Sequence, residues 1–126
     1  MGEYSRRICD YPNGQYIGDM IDDKRSGQGR MTTPEEFYDG MWSHDFQHGY
    51  GEMTYFLDGS SYKGEWKNGL KHGRGVFNFK IQAKGVYMTK YDGEWENDKQ
   101  KGRGIVTWSN GSIERGVWDG INKVKK

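Results

Sequence analysis

The stretch YKGEWKNGLKHGRGVF, from Tyr62 to Phe77, decides the fold. Its first five residues alternate aromatic or glycine residues with charged ones, the period-two pattern of a strand with one polar face. Trp-Lys-Asn-Gly at 66–69 carries a turn signal. After the turn, Gly73, Gly75 and Phe77 again share one face of a strand. The stretch therefore predicts two antiparallel strands joined by a tight turn.

The same pattern recurs along nearly the whole chain as an internal repeat. In all four full copies, eleven residues separate the tyrosine from the first glycine of Gly-x-Gly, while successive tyrosines are 22, 24 and 29 residues apart. A constant interior with variable joints indicates a stacked structural unit. The copies are Tyr16, Gly18, Met20, Gly27 and Gly29; Tyr38, Gly40, Trp42, Gly49 and Gly51; Tyr62, Gly64, Trp66, Gly73 and Gly75; Tyr91, Gly93, Trp95, Gly102 and Gly104; and a partial fifth with Gly116 and Trp118, where Glu114 replaces the tyrosine.

The 126 residues suit one domain, a single repeat array over residues 1–126. Asn13-Gly14, Asp58-Gly59 and Asn110-Gly111 are turn signals between units. The expected fold is all-β: an elongated, twisted, open-ended single layer of antiparallel hairpins. The predicted units cover about 16–37, 38–61, 62–90 and 91–113, with a partial unit at 114–120 and a basic tail at 121–126.

Glycine inside a strand weakens it unless the missing side chain leaves room for something else. Here an aromatic ring of the neighbouring strand can lie over the glycine backbone. One face of the sheet should therefore carry aromatic rings on glycine, and the other face should be solvated. The glycines assigned this structural role are Gly40, Gly49, Gly51, Gly64, Gly73, Gly75, Gly93, Gly102 and Gly104.

The segment 62–77 closely resembles a MORN repeat, and the resemblance extends over about residues 11–120. It implies a single-layer array of hairpins and a scaffold or adaptor role in cytoskeletal, ciliary or flagellar (axonemal) assemblies. Some arrays of this family are proposed to bind phospholipids. Departures are Met20 in place of tryptophan, the lost tyrosine at 114, and about six extra residues around Ile81–Thr89. That third joint is either a tolerated insertion or a partner contact.

Two readings of the aromatic rings remain open from sequence. The rings either stack on one another as the whole core, or they line a groove that binds a helical or extended segment of a protein partner. The candidate groove residues are Tyr38, Trp42, Tyr62, Trp66, Tyr91 and Trp95.

Charge is divided unevenly along the chain, although the net charge is only +1. Residues 1–62 hold 5 basic and 11 acidic residues, a net −6, and residues 63–126 hold 14 and 7, a net +7. The basic half offers an alternative function, peripheral binding to anionic phospholipid membranes. The two halves carry opposite charge, and the strands at both ends of the sheet have unpaired edges. These features also allow self-association. The candidate anionic-surface contacts are Lys63, Lys67, Lys71, Arg74, Lys99, Lys101 and Arg103.

Several other functions find no support in the sequence. Cys9 is the only cysteine, and His48 and His72 occupy equivalent positions one unit apart, so we expect no metal site. No helix and no lysine-bearing phosphate loop follows the Gly-x-Gly pairs, so they are not nucleotide sites. Residues 101–108 resemble an RNA-binding signature only because the repeat produces the same spacing. We expect no cofactor, no nucleic acid and no catalysis. A single cysteine and the lack of a signal peptide predict an intracellular location, in the cytoplasm, cytoskeleton or cilium.

Overall fold

The computed structural model describes residues 4–80 and 83–124, which form strands and no helix. None of these residues belongs to a helix long and apolar enough to cross a membrane. The strands are β1 (Ser5–Tyr11), β2 (Gly14–Ile21), β3 (Lys24–Thr32), β4 (Glu36–Ser43), β5 (Phe46–Tyr55), β6 (Ser61–Lys67), β7 (Leu70–Asn78), β8 (Met88–Glu96), β9 (Lys99–Trp108), β10 (Ile113–Asp119) and β11 (Asn122–Lys123).

All eleven strands lie in one antiparallel sheet in chain order, each paired with its sequence neighbours. The predicted all-β architecture, an open sheet of consecutive hairpins, is confirmed. Each repeat is one hairpin: β2–β3, β4–β5, β6–β7 and β8–β9 are the full ones. In every full hairpin the glycine after the tyrosine pairs with the second glycine of Gly-x-Gly, as Gly40 pairs with Gly51.

The tight turns inside the four full hairpins contain two residues, and their backbones explain their composition. Both central residues have positive φ, for example His44 (50°) and Asp45 (74°), or Asn68 (49°) and Gly69 (84°). This is the type I′ geometry that matches the twist of the flanking strands and favours Asn, Asp and Gly. Two of the joints between units use Asx turns instead, in which Asp58 and Asn110 accept the N–H of Ser60 and Ser112.

The two glycines of each Gly-x-Gly pair have different roles. The first lies in a β-bulge and has positive φ, 99° at Gly49, where other residues would be strained. The second lies beneath the tyrosine of its own hairpin: a Cβ added at Gly51 would meet the ring and hydroxyl of Tyr38. The ring-on-glycine packing predicted from the sequence is present in all four full hairpins.

Strand alternation gives the sheet two unlike faces. We call the side that carries the tyrosines and tryptophans the aromatic face, and the opposite side the polar face. Buried on the aromatic face are Tyr16, Met20, Met31, Tyr38, Trp42, Met53, Tyr62, Trp66, Tyr91, Trp95, Val106 and Trp118. On the polar face, Lys63 and Glu65 are exposed as expected, whereas Asp92 and Glu94 are partly buried.

The long third joint packs against the neighbouring turn. The N–H of Ser109 donates to the carbonyl of Tyr87, and the N–H of Tyr87 donates to the Ser109 hydroxyl. Ile81 and Gln82, which belong to the predicted insertion at 81–89, lie outside the described residues. The described part of the joint is thus hydrogen-bonded to the turn between β9 and β10.

Candidate functional site: the aromatic face

Tyrosine and tryptophan rings form a continuous ladder along the aromatic face. Each tryptophan of the second to fourth hairpins lies between the tyrosine of its own hairpin and that of the preceding one. Ring centroids are 5.1–5.4 Å apart and planes are 83–90° apart, the edge-to-face geometry that aromatic pairs prefer. In chain order of contact the ladder runs Tyr16, Trp42, Tyr38, Trp66, Tyr62, Trp95, Tyr91.

Every polar atom of the ladder is paired with backbone. The Trp66 indole N–H donates to the carbonyl of Gly51 in the preceding hairpin, at 3.2 Å. The Tyr62 hydroxyl donates to the carbonyl of Glu65 three residues on, at 2.8 Å. Trp42, Trp95 and Trp118 repeat the first bond, and Tyr16, Tyr38 and Tyr91 the second. Buried polar groups require such partners, so the bonds fix each ring in one orientation.

Burial also changes the acidity of these tyrosines. Loss of solvent disfavours the charged phenolate and raises the pKa of Tyr91 to about 12. The same cause raises the pKa of Tyr38 and of Tyr62. The ladder is therefore neutral throughout the physiological range.

The six candidate groove rings are interior groups in this structure. Tyr38, Trp42, Tyr62, Trp66, Tyr91 and Trp95 have exposed fractions of only 0–6%. The structure brings the six rings together as predicted. They pack against one another as a core, which is one of the two interpretations that the sequence left open. Contact of these rings with a partner stays a prediction, and a partner would first meet the groups that cover them.

Half-buried rings form the accessible part of the aromatic face. We call Tyr11, Tyr55, Phe77, Phe79 and Trp108 the outer rings, since each is partly buried and packs against the core. Phe77 connects two of them, Phe79 and Tyr55, to the ladder, with its centroid 4.6 Å from Phe79, 5.9 Å from Tyr55 and 6.0 Å from Trp95. Beside Phe77 and Phe79 lies a depression of about 310 Å³, bordered further by Lys99 and Ile121.

Charged and amide side chains cover the ladder from one repeat position, two residues before Gly-x-Gly. We call it the lid position; it holds Arg25, Gln47, Lys71 and Gln100. The Arg25 guanidinium lies 4.5 Å from the Trp42 ring centroid and 4.8 Å from that of Tyr11. The Lys71 ammonium lies 5.6–5.8 Å from five ring centroids. Both distances suit cation–π attraction.

Each lid cation is held by an aspartate from the next hairpin's turn. Asp45 accepts from Arg25 Nε at 2.6 Å and from its backbone N–H at 3.1 Å. Partial burial opposes ionisation of Asp45, but these bonds outweigh it and lower its pKa. Asp98 accepts the backbone N–H of Lys71 at 2.7 Å and lies 3.4 Å from its ammonium. Sequence reasoning missed these lids, although their constant offset from Gly-x-Gly could have revealed them.

The seven candidate anionic-surface residues do not form one patch. Lys71 is a lid, its side chain only 12% exposed, so it is unavailable to a membrane surface, contrary to the prediction. Lys71 is separated from Gly73 and Gly75 by an even number of positions, so its side chain lies on the same face as theirs, the aromatic face. Lys63 and Lys101 form ion pairs with Glu52 and Asp119, and Lys67 and Lys99 are exposed. Arg74 and Arg103, with Arg115, line a depression of about 530 Å³ on the polar face.

The described residues contain no group of three or more side chains that could bind a metal ion. His48 and His72 do not share a partner: His48 Nδ1 accepts the N–H of Asn68, while the buried Nδ1 of His72 has no partner within the described part of the chain. The aromatic face therefore combines large, fixed rings with the two cationic lids. What it offers chemically is a surface for non-covalent contact.

Comparison with known proteins agrees with this geometry. A search of curated proteins found none that matches the chain. The family model for the MORN repeat matches residues 16–35, 38–56, 62–84 and 91–113, four segments that each begin at a repeat tyrosine. Repeats of this kind are generally associated with binding to proteins or membranes, and the family is generally a binding module and not a catalytic one. By these matches, which cover more than half of its length, the chain belongs to the MORN-repeat family.

Proposed function

We propose that this chain is a non-catalytic scaffold or adaptor that binds a protein partner along its aromatic face. The observation that carries the proposal is the set of half-buried outer rings on the aromatic face, three of which, Tyr55, Phe77 and Phe79, form a contacting cluster. Isolated apolar residues are ordinary on surfaces, but an aromatic cluster over a packed core offers the large anchors typical of binding hot spots. The occupant is a helical or extended segment, and the setting is intracellular, in a cytoskeletal, ciliary or flagellar assembly.

The test is capture of partners from a detergent-extracted cytoskeletal fraction, washed at low and then at high salt. Phe79→Ser removes an outer ring that lies at the edge of the ladder. The matched control is Tyr50→Ser, which removes an exposed ring from the polar face. We expect proteins retained by the unmodified chain at high salt to be lost with Phe79→Ser and kept with Tyr50→Ser. Equal retention by both variants, each shown to be folded, would refute binding through the aromatic face.

A second candidate is peripheral binding to anionic membranes through the polar face. One observation favours it: among the described residues Arg74, Arg103 and Arg115 form no ion pair, although they share one depression with Asp92. The test is flotation with phosphatidylserine vesicles at low salt, where such adhesion is strongest. No flotation of the unmodified chain would exclude this candidate, as would equal flotation after Arg103→Glu.

A further inference from the structure

We propose that this chain assembles head to tail, with β1 of one copy completing the fifth hairpin on the free edge of β10 of another. The inference uses the strand edges at the two ends of the sheet and not the aromatic face. It is therefore independent of the partner binding proposed above. Its basis is the register that the repeat imposes on β1 and β10.

β10 is the first strand of a hairpin whose second strand is short. Among residues 4–80 and 83–124, β11 pairs only with Trp118 and Asp119, and one further bond joins the N–H of Val124 to the carbonyl of Val117. Among the described residues nothing pairs with the outer edge of β10 at 113–116. Unpaired strand edges are templates for another strand.

β1 is the complement: it has the position of a second strand, and among the described residues no first strand lies beside it. It pairs with β2 through Cys9–Tyr16 and Arg7–Gly18. These pairs match Met31–Tyr38 and Gly29–Gly40 between the first and second hairpins. Cys9 therefore stands at the position of Met31, and Arg7 at the position of the second glycine of Gly-x-Gly. No described strand covers the outer edge of β1.

The same register dictates how the two edges would meet. In a full hairpin the tyrosine pairs with the residue two positions after the second glycine, and glycine pairs with glycine. Applied to two copies, Glu114 of one lies opposite Cys9 of the second copy, and Gly116 lies opposite Arg7 of the second copy. β1 would then occupy the place that a complete second strand of the fifth hairpin would take.

The residues at this junction depart from the repeat in a matched way. Elsewhere a tyrosine ring covers the second glycine, so an arginine in the glycine's place would collide with the ring. β10 alone among the first strands lacks that tyrosine and has Glu114 instead, while β1 has Arg7 instead of the glycine. Across the junction these two side chains lie on one face at diagonal positions, within reach of an ion pair. At the junction a glutamate and an arginine thus take the places that a tyrosine and a glycine hold in the full hairpins.

The polar face of the junction is complementary as well. Ile8 and Ile113 are 69% and 63% exposed, large apolar fractions for strand residues. In the proposed register Ile8 of the second copy lies opposite Arg115 and diagonal to Ile113. Arg115, which has no ion-pair partner among the described residues, lies diagonal to Asp10 of the second copy.

The contacts that these groups make within one copy are weak enough to exchange. Glu114 accepts the Trp108 indole N–H at 3.2 Å through Oε1 and pairs with Lys123 at 3.2 Å through Oε2. Arg7 pairs with Asp23 at 2.9 Å, and all four side chains of the two ion pairs are at least 40% exposed. Exposed ion pairs contribute little to stability. The Lys123 side chain lies over Gly116 and must move aside.

Two charge reversals test the junction by complementation. Glu114→Arg places two arginines at the junction, and Arg7→Glu places two glutamates there. We expect the sedimentation coefficient of the unmodified chain to rise with protein concentration at low salt, and each variant alone to lose that rise. In an equimolar mixture both junctions regain opposite charges, so the rise should return. A misfolded variant would not be rescued by mixing, and circular dichroism checks each fold.

Three outcomes would overturn the proposal. One is an unmodified chain that stays monomeric at every soluble concentration. Another is growth that stops at two copies, because a head-to-tail contact leaves a free edge at each end. The third is a mixture of the two variants that sediments as monomers while the unmodified chain associates.

Discussion

At the scale of single residues, the second glycine of each pair and the tyrosine above it act as one packing unit. The ring fits only because no Cβ stands between it and the backbone, as at Gly51 under Tyr38. The ring in turn covers backbone that would otherwise meet water. Each residue is therefore required by the other.

Gly51→Ala should destabilise the fold more than alanine at a glycine with free space around it. The new methyl group would overlap the Tyr38 hydroxyl and ring, and overpacking of this kind costs about 1–3 kcal/mol. The control is Gly111→Ala, where nothing lies within 4 Å but φ is +88°, so only a left-handed backbone penalty of about 1–2 kcal/mol applies. Urea unfolding midpoints measure both. Equal losses would show that the tyrosine does not need the slot.

Alkaline pH should unfold the chain through the buried tyrosines. Burial raises the pKa of Tyr91 to about 12, above the value near 10 in an unfolded chain. The folded state then holds the proton more tightly, so its stability is full below about pH 10 and falls as pH rises toward 12. Tyrosinate absorbance near 295 nm and circular dichroism should change together. Tyrosines that titrate near pH 10 while the strands persist would contradict this prediction.

At the scale of the hairpin, the lid position and the following turn vary together. Where the second turn residue is aspartate, the lid is a cation, as in Arg25 with Asp45 and Lys71 with Asp98. Where the turn residue that bonds to the lid is glycine, the lid is glutamine: Gln47 faces Gly69, the second residue of its turn, and Gln100 faces Gly120, the first residue of its turn. In all four cases the turn residue's N–H donates to the carbonyl of the lid residue.

Lys71→Gln and Asp98→Gly should therefore be worse singly than together. The first removes the cation from five rings, and the second leaves that cation without its carboxylate. The double variant recreates the Gln47–Gly69 arrangement. A double-mutant cycle in urea should give a coupling of about 1 kcal/mol. Strict additivity would mean that lid and turn are independent.

Sequence reasoning reached the hairpins, their turns and the ring-on-glycine packing because these follow from residue spacing. It did not settle the fate of the six candidate groove rings, since spacing alone left open whether a single layer buries rings such as Tyr62 completely. Burial arises from two features that spacing does not show. The tryptophan of one hairpin lies on the tyrosine of the preceding one, and charged lids such as Lys71 cover both. From sequence alone a lysine is expected to be exposed to solvent, whereas Lys71 packs over the aromatic core.

At the scale of the whole molecule, each hairpin contacts its neighbours in a line, and stability should be distributed accordingly. A central ring supports two neighbours, as Tyr62 contacts both Trp66 and Trp95, while Tyr16 at the end of the ladder contacts Trp42 only. The effect of a ring deletion should therefore depend on its place in the ladder.

Tyr62→Ala should cost about 3–5 kcal/mol, the range for large core truncations, and should expose amides across the array. Tyr16→Ala should chiefly speed hydrogen exchange in β1–β3. Hydrogen exchange read by mass spectrometry distinguishes the two patterns. Equal and uniform loss of protection in both variants would show that the array unfolds as one unit, and not as a line of neighbours.

Two sets of hydrogen bonds between hairpins, those of the indoles and those from each turn to the lid residue, point the same way along the chain. Every ladder indole N–H, and every turn N–H that reaches the lid residue, donates to a carbonyl in the hairpin that comes earlier in sequence. A chain made from its N-terminus therefore presents each new hairpin with acceptors that are already in place. Synthesis on the ribosome and growth of the sheet run in the same direction, and no completed hairpin has to wait for a later one to supply its indole acceptor.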